Sequence, residues 1–478
     1  MKKIFSMIIV GLVCMLGNSC KNSFLDLAPV SNSNANNFYK TRADFDLAVS
    51  AAYATLYVFF APQSAVSFFS EQMSDNATIY NINGIQADKK AFKDFNVNSS
   101  NSQVYLFWQQ CYRSLYNVNI VLDKIEGADL DEAYKDQVRA EMRFLRGMYY
   151  FYMVQMWGDL PLVTKNVTAA ESYGILRSPK AEIYNQVISD LQFAAGKLPL
   201  ASAVTVAGHA SKGAAQALLG KVYLTQGNKT AAAQALQEVV SSNQYMLLPQ
   251  YASLWVVTNK NTKESVFEIQ YKGGATGVPL SDFYNEYTPY ENFSFTLYAG
   301  GMNMVTDDLY NEFENNDARR NLSIALGYTN KTGTFIPIKY PRKWTDSLAP
   351  IVTINGNARE ASSNNFMVLR YADVLLMLTE ATGDAAYLNQ VRARAGLPLY
   401  GMPGYPATQY PSLELAIEHE RRMELAIEFQ RGFDLRRTNR AITVLGAKGK
   451  PVTPDKLLLP IPEIVRQQNS AITQNTGY

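Results

Sequence analysis

The chain has 478 residues, 47% of them hydrophobic, with 44 Lys and Arg against 42 Asp and Glu. So near a charge balance, with no long run of one sign, excludes bulk attraction to nucleic acid or to an anionic membrane surface. The hydrophobic fraction supplies a large core, and three cysteines, two of them within the first 20 residues, exclude a disulfide framework.

The first element reads as an export signal. Lys2 and Lys3 precede the apolar run Ile4 to Leu16, and Gly17-Asn18-Ser19 leads into Cys20. As a helix that run covers ~20 Å, too short for a hydrocarbon core of ~30 Å. Cleavage after Ser19 would make Cys20 the first residue of the mature chain, the position acylated in bacterial lipoproteins. Gly17 stands where such signals usually carry Leu, so an ordinary signal with an incidental thiol is the competing reading. Removing residues 1–19 takes two lysines and no acid, leaving 42 charges of each sign and Cys111 as the one remaining thiol besides Cys20.

Residues 20–40 are Ser- and Asn-rich and read as an anchor and tether. From Thr41 the apolar positions Ala43, Leu47, Ala51, Ala54 and Val58 share one helical face. Residues 74–102 turn polar and are too long for a structureless loop, so they are functional or locally folded. A helix is predicted over Gln103 to Ile125, burying Phe107, Cys111, Leu115, Val118 and Leu122. A second runs from Asp131 to Trp157 and is stopped by Gly158 and Pro161. Residues 180–198 form another. Residues 213–240 form an antiparallel hairpin whose small residues recur as in a tetratricopeptide repeat. Residues 265–271 have strand composition, followed by a Gly-, Asn- and Tyr-rich stretch. Helices return at Thr306 to Glu314, Asn365 to Thr379 and Leu413 to Arg437. The chain is therefore mostly α, with one loop-rich layer.

Four segments in order resemble the SusD/RagB family of outer-membrane nutrient-binding lipoproteins: residues 140–163 (AEMRFLRGMYYFYMVQMWGDLPLV), 368–398 (VLRYADVLLMLTEATGD, then LNQVRARAGLP), 420–437 (ERRMELAIEFQRGFDLRR) and 457–478. The resemblance implies a single helical body with about four tetratricopeptide-like hairpins and a loop-rich ligand-binding layer. It divides the chain into a signal (1–19), an anchor and tether (20–40), an N-terminal helical region (41–250) and a C-terminal region carrying the layer (251–478), the last two in one body. It also implies a non-catalytic protein without cofactor, lipid-anchored at the outer membrane and facing outward. Such a protein hands oligosaccharides, or in some branches peptides, to a SusC-like TonB-dependent transporter.

The residues were weighed for other chemistry. Glu418, Glu420, Glu424 and Glu428 could be imagined as hydrolytic carboxylates. However, Arg421, Arg422 and Arg431 lie three or four positions from Glu418 and Glu428, the spacing of helix ion pairs. His209 and His419 are isolated, and His419-Glu420 does not continue into a zinc helix. Residues 306–320 read as a capped helix start and not as a calcium loop. What remains is aromatic. Tyr284, Tyr287, Tyr290, Phe293, Phe295 and Tyr298 crowd one region beside amides and a carboxylate; Tyr80, Asn81, Phe92 and Phe95, with Asp75 and Asn76, offer a second wall; Trp344 is a third candidate. Flat rings with polar tips suit the C–H faces and hydroxyl fringe of sugars. The competing reading is that these rings pack the layer onto the helices. A peptide binder of the same architecture, a helical hydrolase and a pure tetratricopeptide scaffold stay open as alternatives.

Overall fold

The computed structural model describes residues 38–79, 85–274, 279–289, 296–354 and 356–478. The predicted signal, Cys20 and most of the tether lie outside them, as do Tyr80, Asn81, Tyr290, Phe293 and Phe295. The helices that build the body are α1 (Arg42–Ala54), α2 (Ser102–Glu126), α3 (Glu132–Trp157), α4 (Lys180–Lys197), α5 (Lys212–Thr225), α6 (Lys229–Ser241), α7 (Tyr371–Thr382), α8 (Ala385–Arg394), α9 (Leu413–Glu424) and α10 (Arg431–Arg437). Each of α1 to α6 packs on the next helix of this series: α1 on α2, α2 on α3, α3 on α4, α4 on α5, α5 on α6 and α6 on α7, which also meets α8 and α9. This is a stack of helix pairs, as the resemblance implies. Its ends follow from local chemistry. The Asn101 side chain accepts the first free N–H groups of α2, the Asp131 side chain accepts Tyr134 N–H at 2.9 Å, and Gly158, at φ 73°, ends α3. Gly220 lets α5 and α6 close up, since a Cβ there would stand 2.5 Å from Leu236.

The Cys111 stripe is buried throughout, and burial raises the Cys111 thiol well above its ordinary range. On α1 the outcome is different. Leu47 of the predicted face is 64% exposed, as is Val58 at 52% in the short helix Leu56–Phe59 that follows, while Phe45, Val49, Ala52 and Tyr53 are buried. Both sets have helical spacing, and the set with the larger rings faces α2 and α3.

Four strands matter to the site: β1 (Ser265–Ile269), β2 (Ile351–Ile354), β3 (Asn357–Glu360) and β4 (Phe366–Arg370). β1 pairs antiparallel with β4, and β2 with β3. β4 occupies the start of the stretch predicted as helix from Asn365, because it pairs with β1 and is buried on both faces. Residues 74–102 are locally folded where described, with a helix over Ala87–Lys93 and Phe92 and Phe95 in the core.

The predicted helix Leu413 to Arg437 is broken. Between α9 and α10, Ile427 and Phe429 take φ of 57° and 62°, a left-handed backbone that non-glycine residues rarely adopt. The turn swings Glu428 inward, where Lys343 Nζ meets it at 2.7 Å and Arg370 Nε at 2.7 Å. The acids of this segment are indeed ion-paired, but mostly across the fold and not along the helix. Glu420 holds Arg319 and Arg392, Glu424 holds Arg319, Arg370 and Arg394, and Arg370 and Arg394 share Glu264. Arg422 and Arg431 turn to Asp75, which with Asn76 belongs to this network and not to a ligand wall. Burial pushes the Glu424 carboxyl up, yet Arg394, Arg370 and Arg319 together hold it well below its ordinary range. Glu420 and Glu424 are 0% exposed, so neither can reach a polysaccharide.

Candidate functional site

The loop layer meets the helical body at a seam built from four separated stretches. A short helix, Phe283–Glu286, places Asn285 and Glu286 against it; β3 supplies Arg359 and Glu360; the turn before residue 65 brings Gln63, and the Ala87–Lys93 helix brings Lys89. Backbone bonds lock the seam. Gly300 N–H donates to Asn285 O at 2.9 Å, Met302 N–H to Glu286 O at 2.8 Å, and Leu297 N–H to Glu360 Oε1 at 2.7 Å. Position 300 must be glycine for this approach, because a Cβ would fall 2.0 Å from Glu286 Oε2.

At its rim Tyr298 is 41% exposed, with the Arg359 guanidinium 5.2 Å from its ring centroid and bonded in turn to Asp282. Beneath, Glu286 is buried and its carboxyl is pushed up to about 7 by desolvation and by Asp282, against the pull of Gln63, Lys89 and Tyr298. Burial and Glu286 push the Tyr298 phenol up to about 12. Ser281 Oγ, Asn285 Oδ1, Glu286 Oε2, Arg359 Nε and Glu360 Oε2 are buried without a hydrogen-bond partner among the described residues. Unmade bonds of this kind are costly and uncommon, and here they fall on the stretches that build the seam. An exposed ring, a planar cation with several donors and a carboxylate form a surface that can stack on one face of a polyol and bond its rim.

Of the ring candidates read from sequence, Phe95 is core, and so are three more. Phe92 is 0% exposed and packs on Phe68, with ring centroids 5.2 Å apart. Tyr287 is buried, its hydroxyl accepting from Asn303 Nδ2 at 3.0 Å. Trp344 is stacked at 4.5 Å on Phe283, which also lies 5.1 Å from Phe366. Their faces are taken by other rings, so they fasten the layer to the helices and offer nothing to a ligand. Tyr284 is 5% exposed. Tyr298, in the same crowd, is the described ring that reaches solvent. Arg359, Lys89 and Gln63 were not legible as site residues, because the β2–β3 hairpin and the early segment lie far from Tyr298 in sequence.

Comparison with known proteins agrees with this architecture. Residues 23–224 match a family model described as "Starch-binding associating with outer membrane", and residues 327–478 match that of the SusD family. A SusD-like protein of Formosa agariphila, P2, is 28% identical over 100% of both chains. A SusD-like protein of Bacteroides ovatus is 26% identical over 90% of this chain and 81% of its own. Among solved structures, a laminarin-binding SusD-like protein superposes with a TM-score of 0.80 at 28% identity, over 92% of this chain and 100% of that one. The helix stack and the matches at both ends place this chain in the SusD/RagB family.

Proposed function

We propose that this protein is a non-catalytic, lipid-anchored glycan-binding protein of the outer membrane, facing the exterior, that captures oligosaccharides and delivers them to a SusC-like TonB-dependent transporter. The observation that carries the reading is the similarity, over 92% of the chain, to a laminarin-binding structure of the same fold. The description of the family model matched by residues 23–224 supports a starch-type ligand and an outer-membrane setting. The buried, paired carboxylates of α9 support a binding role over hydrolysis.

In this reading residues 1–19 are removed, Cys20 carries the acyl chains and residues 20–40 tether the body. Ligand is held at the Tyr298–Arg359 rim, with Tyr80, Asn81, Tyr290 and Phe293 as further contacts. Modest affinity suits transfer, since tight binding would slow release. Native affinity electrophoresis and calorimetry of residues 21–478 against laminarin, starch and a wider polysaccharide panel test it. Retention by at least one glycan, without new reducing ends, is expected. Tyr298→Ala weakens that binding by about tenfold, or ~1.4 kcal/mol. Binding confined to a peptide library, or release of new reducing ends, overturns the reading.

A further inference from the structure

A groove of about 390 Å³ runs along α2, away from the loop layer and sharing no residue with its seam. One wall is a stripe of α2 at spacings of three and four, comprising Tyr105, Trp108, Gln109, Tyr112, Tyr116 and Asn119. The other is the extended segment after α3, from Pro161 to Val167, continued by Tyr173 and closed by Gln468 and Asn469 near the C-terminus. The walls are tied to each other. The Tyr112 hydroxyl donates to Pro161 O at 3.0 Å, Asn119 Nδ2 to Val163 O at 2.9 Å, and Asn469 Nδ2 to Tyr173 O at 2.8 Å. The floor is fixed by Trp108, edge-on to Trp157 at 5.2 Å. The groove is thus preformed, and binding would order little.

Its chemistry selects an occupant. Tyr116 and Tyr173 stand 48% and 59% exposed at the two sides of the groove. Amide side chains lie among the rings, and Lys165 is the one charged residue of the lining. Flat apolar faces interspersed with neutral donors and acceptors match a neutral, hydroxylated ring chain. They match neither an anion nor a charged peptide. An extended peptide would also want an open strand edge, but Leu160–Pro161 is already paired with Arg177–Ser178. The volume lies within the range of small-molecule sites.

We infer that this groove is a second carbohydrate site, for a neutral oligosaccharide, which together with the loop layer lets one body hold a long glycan at two points. The inference rests on the glycan-binding reading above. Two weak sites bridged by one polymer gain affinity through effective concentration, on the order of a hundredfold or more, with no new contact. The test titrates wild type, Tyr298→Ala and a Tyr116→Ala/Tyr173→Ala double variant with maltohexaose, laminarihexaose and cellohexaose and with the corresponding polymers. Both groove tyrosines are exposed, so the double variant should melt with wild type. It is expected to lose one hexasaccharide per chain in calorimetry and at least tenfold in polymer affinity, together with the saccharide-induced change in Trp108 fluorescence. Tyr298→Ala should retain that fluorescence change. Unchanged stoichiometry and polymer affinity in the double variant, with all binding lost in Tyr298→Ala, overturns the second site alone. Wild type binding none of these glycans removes the functional reading and this inference with it.

Discussion

Glu286 shows how one residue carries the seam's electrostatics. Its ordinary pKa of 4.5 rises to about 7 because burial penalises the charged form. The folded state therefore holds this proton more tightly than the unfolded chain. Its favourable contribution is complete below pH 4.5 and is lost as pH rises through 7. Replacing Glu286 with Gln removes that loss. Relative to wild type, Glu286→Gln should gain stability progressively between pH 4.5 and 7 and hold a plateau of about 3 kcal/mol above it. Denaturant unfolding across that pH range measures it, and parallel curves for the two proteins would contradict it. Glu71, also buried and pushed up to about 7, titrates in both proteins and cancels in the comparison.

The element that departs furthest from its sequence pattern is the α9–α10 segment. Apolar spacing runs on through residues 413–437, yet the chain leaves the helix at Leu425, before the first glycine, Gly432. Two left-handed residues cost on the order of 1–2 kcal/mol each. Tertiary contacts outweigh that cost: Phe429 N–H donates to Glu71 Oε1 at 2.7 Å, and its ring packs 4.7 Å from Phe366. This geometry reverses a familiar ranking. In a helix interior Gly is worse than Ala by about 1 kcal/mol, whereas at φ 62° it is not. Phe429→Ala should lose about 3–5 kcal/mol, and Phe429→Gly the same or less. Equilibrium denaturation of both variants decides this; a Gly variant clearly less stable than the Ala variant would mean the segment is helical. The same logic explains α1, where spacing allowed two apolar faces and only packing against α2 and α3 chose between them.

For the whole molecule, the buried ions act as the clamp between layer and body. Arg370 on β4 joins Glu264, Glu424 and Glu428, and Lys343 in the layer completes Glu428. Removing the cation strands several buried carboxylates, so Arg370→Met should cost about 3–5 kcal/mol. Faster hydrogen exchange around β1, β4 and residues 343–346 would accompany the loss. A melting temperature near wild type would show the clamp to be dispensable. The proposed anchor at Cys20 would set a second property of the whole molecule. Cys20→Ser should shift the protein from the membrane to the soluble fraction of fractionated cells and abolish incorporation of labelled palmitate; persistence in the membrane fraction would remove the anchor from the proposal.

Local spacing by itself determined the long helices α2 to α6, the strand at residue 265, the burial of Cys111 and the ion-paired character of the acids near residue 420. Each is written in the periodicity or charge of neighbouring residues, and the conspicuous signatures at 368–398 and 420–437 prove to be largely this internal clamp. Tertiary structure alone decided which partner each charge takes, where the α9 helix breaks, which face of α1 is buried, and which tyrosines keep a face in water. The physical reason is that an aromatic ring has the same appetite for a core neighbour as for a sugar. Phe92, Tyr287 and Trp344 are enclosed by neighbours in the fold, while Tyr298, Tyr116 and Tyr173 keep much of their surface in water.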